Sequence, residues 1–300
     1  MNIALRTPTK DERIGAFRKA SWPERLAMHD AIAAAKREAI DARRELGRRY
    51  LEAHVSNIMV PFERGALGLY LPDETAAARD EAMRIGFHRA SQHDSGSLAY
   101  PALAHDFPAD GEAVKIGTSP LFIAPITRYC GMLPVLFNFF FTRAYQTEMN
   151  ADSAHHFHMD PEDTISFKVF IHLTDVRDDS GPFHALPANL SERVLKMVNY
   201  QGIDRVLDET VDEAVGFDNV MKFTGLPGTV ALADTTRCLH FGGRPRAAGQ
   251  PFRDMLVFQY LLPTSLLFPI NGDAKQPRFM PQLEARGDDE WDALIGLKWT

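Results

Sequence analysis

Hydrophobic and polar positions alternate most cleanly between residues 165 and 174, where Ile165, Phe167, Val169, Ile171 and Leu173 interleave with Ser166, Lys168, His172 and Thr174. A period of two puts the apolar set on one face of a strand, with Phe170 as the one apolar exception. Val135 to Phe141 is an apolar run bounded by Pro134 and a polar turn, as a strand buried on both faces requires. Gly228 to Ala233 and Met255 to Leu262, the latter stopped by Pro263, complete the strand signals. Helical character is strongest near the N-terminus. Ser21-Trp22-Pro23-Glu24 has the form of a capping box, and a helix from Glu24 to about His54 is expected behind it, with Gly47 its only glycine. Opposite charges four apart (Arg37/Asp41, Glu45/Arg49, Arg48/Glu52) give it a solvated face, and Ile32, Ala35, Ala39, Ala42 and Leu46 supply a stripe to pack on a sheet. A second helix is expected over Glu74 to Ile85, loops with short strands through Gly117, a β core from residue 121, and helix with connection over 190–209.

Composition narrows the class without naming it. The 300 residues are 45% hydrophobic and 24% charged, with 20 Gly and 19 Pro dispersed, as in an ordinary globular protein. Forty acidic against 33 basic residues give a net charge of -7, which supplies no footprint for nucleic acid or an anionic membrane. Cys130 and Cys238 are too few for a disulfide scaffold or a thiolate zinc site. MNIALRTPTKDER lacks the apolar stretch of a secretory signal, and no window approaches the ~20 apolar residues of a membrane span, so a cytoplasmic protein is expected.

The candidate chemistry lies on either side of the alternating strand. His158 and Asp160, two apart, can point to one face and chelate. A non-heme Fe(II) site needs two imidazoles and one carboxylate, leaving positions open for co-substrate and oxygen. His240, beyond the Gly228 to Ala233 strand, is the candidate second imidazole. Arg253 opens an apolar strand, where its guanidinium can pair bidentately with a buried carboxylate; Arg246 is its rival, in a Pro/Gly-rich loop. Lys168 shares the parity of His158 and Asp160 and either points into the same interior or snorkels to the surface. His155, His156, His172 and His184 are weaker candidates for a ligand, with His156 able to line the pocket.

HMDPEDTISFKVFIHLTDVRDDSGPFHALP, GLPGTVALADTTRCLHFGGRP and FRDMLVFQYLLP together resemble the phytanoyl-CoA dioxygenase superfamily of Fe(II)/2-oxoglutarate-dependent oxygenases, over roughly residues 130 to 263. The resemblance implies a mainly β fold with α: a double-stranded β-helix (jelly-roll, cupin-like) core with N-terminal and inserted helices packed on one sheet. It implies iron held by His158, Asp160 and His240, and 2-oxoglutarate bound by Arg253 with Lys168 at hand. With O2, such a dioxygenase hydroxylates a small-molecule substrate and releases succinate and CO2. The carboxylate Asp160 favours hydroxylation over halogenation, since related halogenases lack it. The organisation expected is one catalytic domain over 1–300: an N-terminal helical and loop region to 120, the core over 121–263, and a C-terminal extension over 264–300. Pro187-Ala188-Asn189-Leu190 replaces the family's common Pro-Gly-Ser-His turn. Two rival readings are a binuclear zinc hydrolase built on His156, His158 and Asp160, and a barrel that binds without turnover.

Overall fold

The computed structural model describes residues 15–16, 19–54, 58, 64–90, 98–144, 155–160, 164–200, 204–244, 253–265, 280 and 282–297. In chain order the elements are α1 (Trp22–Ala35), α2 (Arg37–Ala53), β1 (Ala66–Tyr70), α3 (Ala76–Ala90), β2 (Leu98–Leu103), α4 (Glu112–Gly117), α5 (Pro120–Cys130), β3 (Val135–Ala144), β4 (Ser166–His172), β5 (Phe183–Ala185), α6 (Ala188–Val198), α7 (Asp208–Val215), β6 (Met221–Phe223), β7 (Thr229–Asp234), β8 (His240–Phe241), β9 (Arg253–Leu261) and α8 (Asp289–Leu294). The fold is mixed α/β with two antiparallel sheets, ordered β1-β7-β4-β9-β3-β2 and β6-β5-β8.

The alternation read from β4 decides how these layers stack. Phe167, Val169 and Ile171 join Phe139, Phe141, Leu232, Leu256 and Phe258 on one face of the large sheet, beneath a helical layer that contributes Leu46, Tyr50, Phe122, Ile123 and Ile126. The opposite face carries Phe170, Ala231, Ala233, Met255 and Val257, which pack against Phe183, Ala185 and Phe223 of the small sheet. Phe170 therefore breaks the alternation because both faces of β4 are covered; its ring stacks on Phe183 at 4.4 Å. β2 is an edge strand containing Pro101, and its pairing with β3 slips between Ala99 and Ala102, where the missing N–H cannot enter the ladder.

Four expectations are revised. The long helix from Glu24 breaks at Lys36 (φ -114°, ψ 25°) into α1 and α2; the Glu24 carboxylate does accept from the Ser21 backbone amide and hydroxyl, both at 2.7 Å. The buried stripe of α2 is Ile40, Arg43, Leu46, Gly47 and Tyr50, whereas Ala35 and Ala42 are exposed. Residues 120–130 are helix, not the start of the β core: Pro120 opens it, Gly131 closes it at φ +71°, and most of its circumference is buried, so its apolar run has no polar face to betray a helical period. β1 and β2 precede residue 121, β2 where short strands are expected and β1 where none is, so two of the six large-sheet strands lie before the expected start of the β core.

Arg43 explains the α2 stripe. Fully buried, it donates through Nε to Leu133 O (2.8 Å) and through Nη2 to Pro134 O (2.9 Å) and Ala293 O (2.5 Å), tying the helix to the entry of β3 and to α8. That contact draws the backbones together. A Cβ on Gly47 would stand 2.8 Å from Leu133 N, so Gly47→Ala is expected to destabilise the fold by ~1–3 kcal/mol, read from urea unfolding; an unchanged midpoint would remove the close-approach argument.

Candidate metal centre

The centre is built where the two sheets meet. His158 and His240 face each other in an antiparallel bridge, each backbone amide donating to the other's carbonyl at 3.0 Å. Directly opposed residues of this kind project side chains to the same side, and the two imidazole centroids lie 4.3 Å apart. Asp160 N donates to Thr235 O at 2.9 Å, which fixes the carboxylate two residues further along. His240 belongs to β8 of the small sheet, not to the end of the β7 strand, because the chain turns after Asp234. The buried Asp234 carboxylate holds that turn, accepting from Thr236 Oγ1 (2.8 Å) and Thr236 N (3.2 Å) and from Tyr129 Oη (2.8 Å).

Each imidazole is oriented from behind. His158 Nδ1 lies 2.9 Å from His156 O, and His240 Nδ1 lies 2.9 Å from Cys238 O. A carbonyl only accepts, so both rings carry their proton on Nδ1 and present an Nε2 lone pair forward. One nitrogen of each histidine and one Asp160 oxygen lie within 4.8 Å of one another, and His240 Nε2 stands 3.7 Å from Asp160 Oδ1. Burial, reinforced by the neighbouring His240, lowers the His158 pKa to about 3. Burial also lowers that of His240. For Asp160 burial works to raise the pKa, but Lys168 and the two imidazoles prevail and hold the carboxyl well below its usual range. At neutral pH the cluster therefore offers two neutral nitrogens and one anionic oxygen, the protonation state that a divalent cation requires.

A cavity of about 160 Å³ opens in front of these groups, walled by Phe140, Phe170, Phe183, Met255 and Val257 and carrying Thr142, Lys168 and Arg253. Arg253, at the start of β9, is 3% exposed. A Cβ on Gly242 would meet its Nη1 and Nη2 at 3.3 Å, so the glycine lets the guanidinium lie flat against the backbone that follows His240. Lys168 points inward and donates to Asp160 Oδ2 at 2.6 Å. His155, not His156, lines the cavity, and Arg246 lies outside the described residues.

Arg244 is a supporting residue that sequence reasoning missed. Its Nη1 and Nη2 pair with the two Asp208 oxygens at 2.6 Å, and its Nε donates to His155 O at 3.0 Å. Its Cζ also lies 3.4 Å from the Phe241 ring centre. His184 stacks on that ring at 4.3 Å and 13°, so the two occupy opposite faces. Arg244 thus joins the segment bearing His158 and Asp160 to the one bearing His240, through contacts no local motif announces.

No family model and no curated protein sequence matches the chain. Among solved structures it is similar to HygX from Streptomyces hygroscopicus with nickel and 2-oxoglutarate bound (17% identity, TM-score 0.44, covering 67% of this chain and 84% of that one). It is also similar to EctD from S. alaskensis with bound Fe (15%, TM-score 0.47, 73% and 79%). The non-heme alpha ketoglutarate dependent carbocyclase SnoK from nogalamycin biosynthesis is a third (14%, TM-score 0.45, 67% and 80%). Likeness at these identities and TM-scores assigns no activity, and the chemistry of the site is read from its own geometry.

Proposed function

We propose that this chain is an Fe(II)- and 2-oxoglutarate-dependent dioxygenase that hydroxylates a small-molecule substrate, its residues 1–300 forming one catalytic domain around a double-stranded β-helix. One observation carries the reading: two imidazole nitrogens and a carboxylate oxygen converge within 4.8 Å with both rings pre-set by carbonyls behind them. That donor set is the two-histidine, one-carboxylate face of mononuclear non-heme iron sites. Iron held by His158, Asp160 and His240 would supply oxygen activation coupled to oxidative decarboxylation of the 2-oxo acid.

The chain's own residues do the rest. Arg253 presents a planar, always-charged fork suited to the distal carboxylate of 2-oxoglutarate. Phe140, Phe170, Phe183, Met255 and Val257 exclude water from the cavity it shares with the triad. Asp160 would supply the carboxylate ligand in the position a halide would otherwise need, which favours hydroxylation. The zinc hydrolase finds no second cluster among the described residues, and His156 contributes its carbonyl to His158 instead of its ring.

The test is anaerobic reconstitution with Fe(II). A visible charge-transfer band on adding 2-oxoglutarate, and succinate formed during turnover, are expected; two equivalents of zinc without that band would sink the proposal. Arg253→Ala is expected to raise the 2-oxoglutarate concentration needed for half-maximal succinate formation by at least about tenfold, from loss of a charge-assisted bidentate contact of ~1.5–3 kcal/mol. An unchanged requirement would remove Arg253 from the co-substrate site.

A further inference from the structure

We infer that Lys168 is a positioning residue that confines Asp160 to one-oxygen ligation and so keeps two adjacent coordination positions open for a chelating 2-oxo acid. The inference rests on the iron site proposed above and goes on to assign a task to a lysine outside the triad.

The two oxygens of Asp160 have different surroundings. Oδ2 accepts from Lys168 Nζ at 2.6 Å, whereas Oδ1 faces His240 Nε2 at 3.7 Å. Two donors each ~2.1 Å from one ion can lie up to ~4.2 Å apart, so Oδ1 and His240 Nε2 stand close enough to share one ion. Oδ2 cannot reach that ion without bringing it against the ammonium, and like charges repel strongly where little water intervenes. The pair is sheltered, with side chains 18% and 12% exposed, so solvent screens it weakly.

The strand geometry makes this arrangement specific. Lys168 lies on β4 opposite Ala233 on one side and Gln259 on the other. Ala233 leaves room for the long side chain to cross toward the carboxylate. Gln259 turns away, its Nε2 donating to Ser166 Oγ at 3.0 Å. Asp160 in turn is held by its backbone amide on Thr235 O, so the carboxylate rotates about a fixed backbone and the ammonium chooses its rotamer. Without that partner the same carboxylate could swing both oxygens toward the ion and take up one of the positions a 2-oxo acid needs.

The experiment uses the full chain loaded with Ni(II), which permits binding without turnover. It compares wild type, Lys168→Met and Lys168→Arg for affinity toward 2-oxoglutarate, pyruvate and imidazole. Pyruvate offers the same chelating 2-oxo acid without the distal carboxylate, and imidazole needs one position only. Lys168→Met is expected to weaken both 2-oxo acids by a similar factor of about tenfold and to leave imidazole unchanged, while Lys168→Arg, which keeps a donor, retains wild-type affinity for all three. Weakening of 2-oxoglutarate alone would make Lys168 a partner of the distal carboxylate and overturn the inference; so would unchanged 2-oxo acid affinity in Lys168→Met. A folded Lys168→Met protein that takes up no metal overturns it too, because a carboxylate freed to use both oxygens should not bind the ion more weakly. If Lys168→Met does not fold, Lys168→Arg decides: a loss of 2-oxo acid affinity there is equally fatal. Failure of wild type to bind one Ni(II) through His158, Asp160 and His240 would strike the proposed function itself, and is seen before any lysine variant is made.

Discussion

His240→Ala is expected to leave the protein folded, to lose more than ~100-fold in Fe(II) affinity and to bring 2-oxoglutarate-dependent succinate formation to background. The bound on the loss follows from outer partners of metal ligands, whose removal already costs 10–100-fold; deleting a ligand should cost more. Folding should survive because the backbone of residue 240 keeps its reciprocal pairing with residue 158 when the side chain is cut to Ala. Truncation also removes a buried polar ring that burial already makes hard to protonate, so the metal-free protein loses packing and the Nδ1 bond to Cys238 O but no ion pair. Metal content after anaerobic loading and gel filtration, with circular dichroism as the folding control, separates the two effects. One iron per chain with undiminished turnover would end the ligand assignment.

A loss of ~3–5 kcal/mol of stability is expected for Asp254→Ala, the cost of removing one partner from a buried ion pair. Arg143 donates to Asp254 through Nε at 2.6 Å and Nη2 at 2.5 Å, with side chains only 4% and 0% exposed. The pair joins β3 to β9 at register partners, beneath the Phe87 ring 4.9 Å away. Truncating Asp254 takes the carboxylate away from a guanidinium held in that buried setting. The double variant Arg143→Met/Asp254→Leu removes both charges and is expected to recover most of the loss, as replacements of buried pairs by packed apolar groups often do. Urea unfolding of the three proteins measures the difference; a single variant within about 1 kcal/mol of wild type would show that the charge left behind is solvated after all. Since Asp254 adjoins Arg253, 2-oxoglutarate binding by the folded fraction should weaken as well.

The cluster of His158, Asp160 and His240 is the part of the candidate site most legible in the chain, for a local reason. His158 and Asp160 are two apart, and parity along β4 puts Lys168 on their face, although counting alone leaves it either inside or snorkelling to the surface. Arg253 was legible as a charge at the head of an apolar strand. What escaped reading depends on packing between distant segments. α5 is apolar on nearly all sides because sheet and helices enclose it, which erases the period that marks a surface helix. β1 is five residues long, ALGLY, and becomes a strand through its partner β7. The break at Lys36 carries no Gly or Pro. The position of His240 on the smaller sheet depends on the Asp234 turn, whose partner Tyr129 lies more than a hundred residues earlier, and the cavity is lined by His155 although the chain offers His156 as readily.

The reciprocal bridge between His158 and His240 has an outcome for folding. The two segments pair as a β-bridge at this one position, and a slip of one position there would turn one imidazole to the opposite side. Only the correct alignment offers an ion all its donors, so a divalent cation would select that alignment from its near neighbours and reward it with binding energy. Cofactor capture and quality control of the assembly would then be one event, and chain that closed out of step would stay empty.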